Sequence, residues 1–196
     1  PPCCVRPQDQ IWLISTRGLK DCGCECMQCG DPALRYCRYD RCRGWVASTS
    51  QAFFDSQDPA LVTTVYVHGN RITANWALDH GFTTYCRLTD CSCDQRPIRH
   101  VIWSWPSDPI PCGARVIKDA RIKADRTTVE SYYLGWWLAR MAPDQRVSLM
   151  GFSYGGRTIL GALHLVAGGK LCGCHLSRSG GERVRPRVAL WACASE

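Results

Sequence analysis

Apolar and polar positions alternate along this chain with a period that changes repeatedly, and each change predicts an element. Ile11, Trp12, Leu13 and Ile14 make a short β-prone run, read as a first strand over residues 10–16. Residues 34–39 alternate, residues 40–44 are turn-like, and Trp45, Val46 and Ala47 resume, which predicts a hairpin. A short helix over residues 50–54 follows, with Ser48 or Ser50 as its cap and Asp58-Pro59 as its end. Residues 61–67 form a largely apolar run, the signature of a central strand buried on both faces. Residues 72–88 carry Trp76, Ala77, Phe82 and Tyr85 at helical spacing, although Gly81 weakens the pattern. Residues 98–105 read as a strand stopped by Pro106, and Pro109 and Pro111 keep the next loop irregular.

The longest periodic stretch spans residues 118–141, where Ile122, Val129, Tyr132, Tyr133, Trp136, Trp137 and Met141 recur every three or four residues. This aromatic stripe predicts core packing. A strand over residues 146–150, an apolar helix over 158–166 and a last strand over 187–192 complete the chain. Strands alternating with helices predict an α/β fold with a mostly parallel sheet and helices on both faces. The whole of residues 1–196 reads as a single domain: N-terminal strands and a Cys-rich loop over 1–58, and the core over 59–196.

Between the strand at 146–150 and its helix stands Gly151-Phe152-Ser153-Tyr154-Gly155, a Gly-x-Ser-x-Gly turn. Such a turn exposes a serine hydroxyl at the end of a strand, with glycines where strand and helix crowd together. In a parallel sheet it lies at the carboxyl edge, where ligands bind, and His68-Gly69-Asn70 leaves another strand at the same edge.

Composition changes this picture in two places. The net charge of +7 comes mainly from scattered arginines, with no nucleic-acid-binding signature, so a solvated basic surface is the reading. No apolar run reaches the ~20 residues that span a bilayer, and the opening Pro1-Pro2-Cys3-Cys4 is no signal peptide, so a cytoplasmic location is expected. The fifteen cysteines include Cys22, Cys24, Cys26 and Cys29 in one short stretch and the pairs Cys91/Cys93 and Cys172/Cys174. Cys26 and Cys29 have C-x-x-C spacing, but no second such pair and no His-x3–5-His follows, so no metal site is assigned. Whether the cysteines pair is left open by their spacing.

The order Val67-His68-Gly69-Asn70, Ser104-Trp105-Pro106-Ser107, the Asp125-containing aromatic helix and the Gly151–Gly155 turn resembles the α/β-hydrolase superfamily, closest to lipase-like bacterial members of unknown function. The similarity runs from about Leu61 to Ala192 and does not include the Cys-rich loop. It implies acyl transfer with Ser153 as nucleophile. The backbone N–H groups of Tyr154 and Asn70 would form the oxyanion hole, and His68 would position that loop. The implied partner is a small ester-like substrate, with no cofactor, nucleic acid or membrane span. Family members place an acid and a histidine after the last strand seen here. Only His164 and His175, with Glu182 and Glu196, follow Ser153. His164 reads as a core histidine on the apolar face of its helix, and His175 comes too early. The expectation is therefore a sheet incomplete at the C-terminus and an inactive fragment of an esterase or lipase-like hydrolase. The alternatives are a non-catalytic binding module on the same scaffold and a Cys-rich metal or redox protein.

Overall fold

A computed structural model describes residues 5–19, 23–90, 95–110, 116–176 and 184–192. The strands are β1 (Gln10–Ser15), β2 (Arg35–Asp40), β3 (Gly44–Ser48), β4 (Val62–Val67), β5 (Ile98–Ser104), β6 (Arg146–Phe152) and β7 (Arg187–Trp191). The α-helices are α1 (Ser50–Asp55), α2 (Ala74–Asp90), α3 (Val116–Leu138) and α4 (Tyr154–Val166). All seven strands join one sheet in the order β3-β2-β1-β5-β4-β6-β7. The β1–β2 and β2–β3 pairs are antiparallel, and every other pairing is parallel. The expected α/β class and mostly parallel sheet are present.

The central strands explain their own sequences. All of β4 after Val62, and all of β5 after Ile98, is buried, so neither alternates. Residues that point to opposite faces of β5 enter two separate clusters. Val101 and Trp103 pack with Leu134, Trp137, Ile159 and Ala162 of α3 and α4. Ile102 packs with Tyr85 of α2 on the other side. Helices therefore cover both faces.

Gly81, the weak point of the α2 pattern, has a packing reason. A methyl there would meet Ile102 Cδ1 at 2.5 Å, and the Gly81 carbonyl bonds the His100 ring at 3.0 Å. The bare backbone lets α2 approach β5 closely. Small residues bring α3 and α4 together in the same way, with Gly135 against the Ala162 carbonyl and Gly161 against Ser131. The cap of α1 is Thr49, whose hydroxyl accepts from Ala52 N at 3.1 Å, and neither Ser48 nor Ser50 fills that role. Thr49 is the residue with extended backbone immediately before the first helical turn.

The course of the chain through the sheet sets up a site. From β4 the chain passes through α2 to β5 on one side. It then crosses by α3 to β6 on the other side of β4. From β6 it continues outward to β7. Connections leaving β4 and β6 thus diverge, the arrangement that marks the ligand-binding edge of an α/β sheet. Val67 pairs with Gly151 at that edge, so residues 68–70 and Ser153 begin side by side.

Candidate active site at the carboxyl edge of β4 and β6

Ser153 lies on the one-residue turn between β6 and α4, with φ 52° and ψ −119°. A left-handed φ is costly for any residue with a Cβ, and such strain persists only where the surroundings enforce it. Here they do. A methyl on Gly151 would meet Gly156 Cα at 2.7 Å, and one on Gly155 would overlap the Val67 carbonyl. A methyl on Gly69 would lie 3.1 Å from Ser153 Cβ. The three glycines press the turn against the end of β4. The Ser153 amide donates to the Trp191 carbonyl of β7 at 3.1 Å and so belongs to the sheet. Tyr154 is the first residue of α4, so its N–H has no acceptor within the helix. It opens the positive end of the helix dipole beside the serine. The Ser153 side chain is half-buried, and among the described residues its hydroxyl makes no hydrogen bond.

His68 is wholly buried and fully engaged. Its Nδ1 lies 2.9 Å from the Gly69 carbonyl, and its Nε2 accepts from the Trp105 amide at 3.2 Å. The Trp105 indole returns a hydrogen bond to the His68 carbonyl at 2.8 Å and stacks on the ring at 5.5 Å. This pattern assigns the proton to Nδ1. Burial pushes the ring pKa down to about 3, against a smaller upward pull from the Gly69 carbonyl. A neutral ring with both nitrogens occupied cannot take a proton from Ser153. Its hydrogen bonds tie the end of β4 to the backbone of Gly69 and Trp105.

Asn70 sits in a tight polar knot. Its Oδ1 accepts from the Arg71 amide at 2.8 Å, and its Nδ2 donates to Asp119 Oδ2 at 3.1 Å. Among the described residues the Asn70 backbone N–H has no acceptor. Asp119, in the first turn of α3 and 2% exposed, also accepts from the Ile110 amide at 3.2 Å and pairs with Arg71 at 3.6 Å. One residue further along α3, the Ala120 carbonyl accepts from the Tyr154 hydroxyl at 3.1 Å. The first turn of α3 therefore touches both the loop after β4 and the start of α4. Sequence reasoning missed Asp119 and singled out Asp125, which is exposed. An acidic residue in a first helical turn was the available signal.

The fold brings Ser153, Tyr154, Gly69 and Asn70 to one edge of the sheet. His68 stands at the same edge, but its ring bonds the backbone, and among the described residues no histidine bonds the Ser153 hydroxyl. His100 is buried in β5 between Thr64 and the Gly81 carbonyl, and desolvation lowers its pKa to about 4. His80 and His175 are exposed. His164 is exposed too, which corrects its reading as a core residue: it lies on the outer face of α4, and its ring packs over Gly169. Glu182 and Glu196 lie outside the described residues. Trp103 and Trp105 are fully buried in the core, whereas Phe152 is 39% exposed beside Ser153.

The Cys-rich loop is stapled. Cys24 pairs with Cys172 and Cys29 with Cys174, which draws the loop across α3 to the turn after α4. Tyr132 donates to the Gly30 carbonyl, and both Trp136 and Arg140 bond Asp31. Cys29, one member of the C-x-x-C pair, is oxidised and so does not serve as a metal ligand. No metal-holding group occurs among the described residues.

No protein-family model, curated protein or solved structure matches this chain.

Proposed function

We propose that the chain is an α/β-hydrolase-like serine hydrolase of the esterase or lipase type, acting by acyl transfer through Ser153. The observation that carries this reading is the strained backbone of Ser153, held by three glycines at the strand-to-helix turn where the sheet order diverges. A non-glycine residue kept at positive φ by backbone packing is a costly arrangement, and such strain concentrates where function requires it. In this reading Ser153 attacks an ester carbonyl, and the amides of Tyr154 and Asn70 receive the developing oxyanion. Each donor aimed at that charge is worth about 3–4 kcal/mol of barrier. The exposed Phe152 offers an apolar contact for the acyl group. Serine needs a base to accept its proton. The described residues place none on it, so the base is the unassigned member of the site. The cystines favour an oxidising compartment over the cytoplasm.

A fluorophosphonate probe tests the proposal. The full chain should label at Ser153 and hydrolyse a short ester, and Ser153→Ala should lose both. A chain that neither labels nor turns over ester is not a hydrolase. The second reading, a non-catalytic binding module with Ser153 as a hydrogen-bonding group, would then stand. It is favoured by one observation: both buried histidines are engaged elsewhere.

A further inference from the structure

The buried carboxylate of Asp119 has a place in the site that the serine-hydrolase reading does not use. Its two oxygens hold two loops, the one after β4 and the one after β5, to the first turn of α3. Oδ2 accepts from Asn70 Nδ2 and faces the Arg71 guanidinium, while Oδ1 takes the amide of Ile110 in the loop after β5. Arg71 has a φ of 60°, a second left-handed non-glycine residue at the same edge of the sheet. Its amide is bound by Asn70 Oδ1. The peptide between Asn70 and Arg71 is therefore gripped on both sides: by the Asn70 side chain, and by the Arg71 side chain reaching to the same carboxylate. A charged group buried to this degree needs compensation, and Arg71 and the start of α3 supply it. Removing Asp119 frees the Asn70 side chain and leaves Arg71 without the contact that holds its backbone.

We propose that Asp119 is a positioning residue for acyl transfer, one that acts through the Asn70 side chain to hold the loop amide in place toward Ser153. It rests on the serine-hydrolase reading above. The role is positional: Asp119 bonds Asn70 and Ile110, and no hydrogen bond joins it to Ser153 among the described residues.

The test compares Asp119→Ala, Asp119→Asn, Asn70→Ala and the double variant Asn70→Ala/Asp119→Ala in the full chain. The readouts are ester kcat and KM per labelled site, with a melting curve for each protein. A misplaced group costs up to about 100-fold in rate, so Asp119→Ala should lower kcat about 10- to 100-fold with little change in KM. Asp119→Asn keeps an oxygen that accepts from Asn70 and should recover part of the loss. The double variant should be no slower than the slower single variant, because both changes break one tether. If Asp119→Ala fails to fold, Asn70→Ala breaks the same tether while leaving Asp119 on Ile110 and Arg71. Unchanged kcat in either single variant, or a double variant that loses the product of the two single effects, overturns the tether. An unaltered chain without labelling or turnover overturns the hydrolase reading, and the proposal falls with it.

Discussion

His68 and His100 show how burial converts an ordinary side chain into a pH-dependent part of the framework. Both rings are fully enclosed, and desolvation holds their pKa values to about 3 and about 4, against an ordinary 6.5. Between these values the unfolded chain binds protons that the folded chain refuses. Their contribution to stability is complete above the unfolded pKa and is lost as pH falls toward the folded values. The melting temperature should therefore fall on acidification from about pH 7 to about pH 5, before most carboxylates protonate. His100→Gln, which can still donate to the Gly81 carbonyl, should show a shallower decline over that range. An unchanged slope would assign the acid sensitivity to other groups. The effect concerns the framework: neither ring reaches Ser153.

At the scale of elements, the turn from β6 into α4 depends on backbone approaching backbone. Val67 is paired with Trp103 on one side and Gly151 on the other, so its carbonyl has nowhere to move. Gly155→Ala should therefore destabilise the protein by about 3 kcal/mol, the upper end of overpacking costs. Gly30→Ala, with no atom within 4 Å of the added methyl, should change stability by less than about 0.5 kcal/mol. Urea denaturation of the two variants checks the contrast. Equal effects would mean that the close approach of α4 to β4 is not what demands glycine. The same comparison separates glycines that a motif requires from those that merely punctuate a loop.

Across the whole molecule, the Cys24–Cys172 and Cys29–Cys174 cystines act together. They join partners 148 and 145 positions apart, yet they lie within a few residues of each other at both ends. With one bridge intact, the other closes only a short loop. Loop-closure entropy then gives about 2–3 kcal/mol for removing either bridge alone, as in Cys29→Ser/Cys174→Ser. Removing both releases the long loop, and the second loss should rise to about 5 kcal/mol. Chemical denaturation of the two double variants and the quadruple variant measures this. Strict additivity of two small losses would show that the unfolded chain is already held together elsewhere. The loop they anchor covers α3 through Met27, Tyr132 and Leu171, far along that helix from Asp119.

Local pattern alone determined much of this protein. The runs in β4 and β5, the period of α2 and α3, and the glycine-flanked turn at Ser153 are written as local spacings of residue types, so they are legible without a fold even though distant packing enforces them. The resemblance of the motifs around them, which stand at strand ends, is what nominates His68, Asn70 and Tyr154. Three features were settled only by tertiary structure. Asp119 gains its place from two loops that converge on it, whereas Asp125, further along α3, faces out. Cys24 and Cys29 find their partners at the far end of the chain, where spacing carries no information. His164 shares a helix with buried Ala162 and Leu165 yet points outward, because helical phase is read against a neighbour and the neighbour is known only once the sheet has formed. The same physics applies to the opening motif: sequence can mark Ser153 as exposed on a turn, but which groups stand around its hydroxyl is decided by distant segments meeting at the edge of β4 and β6.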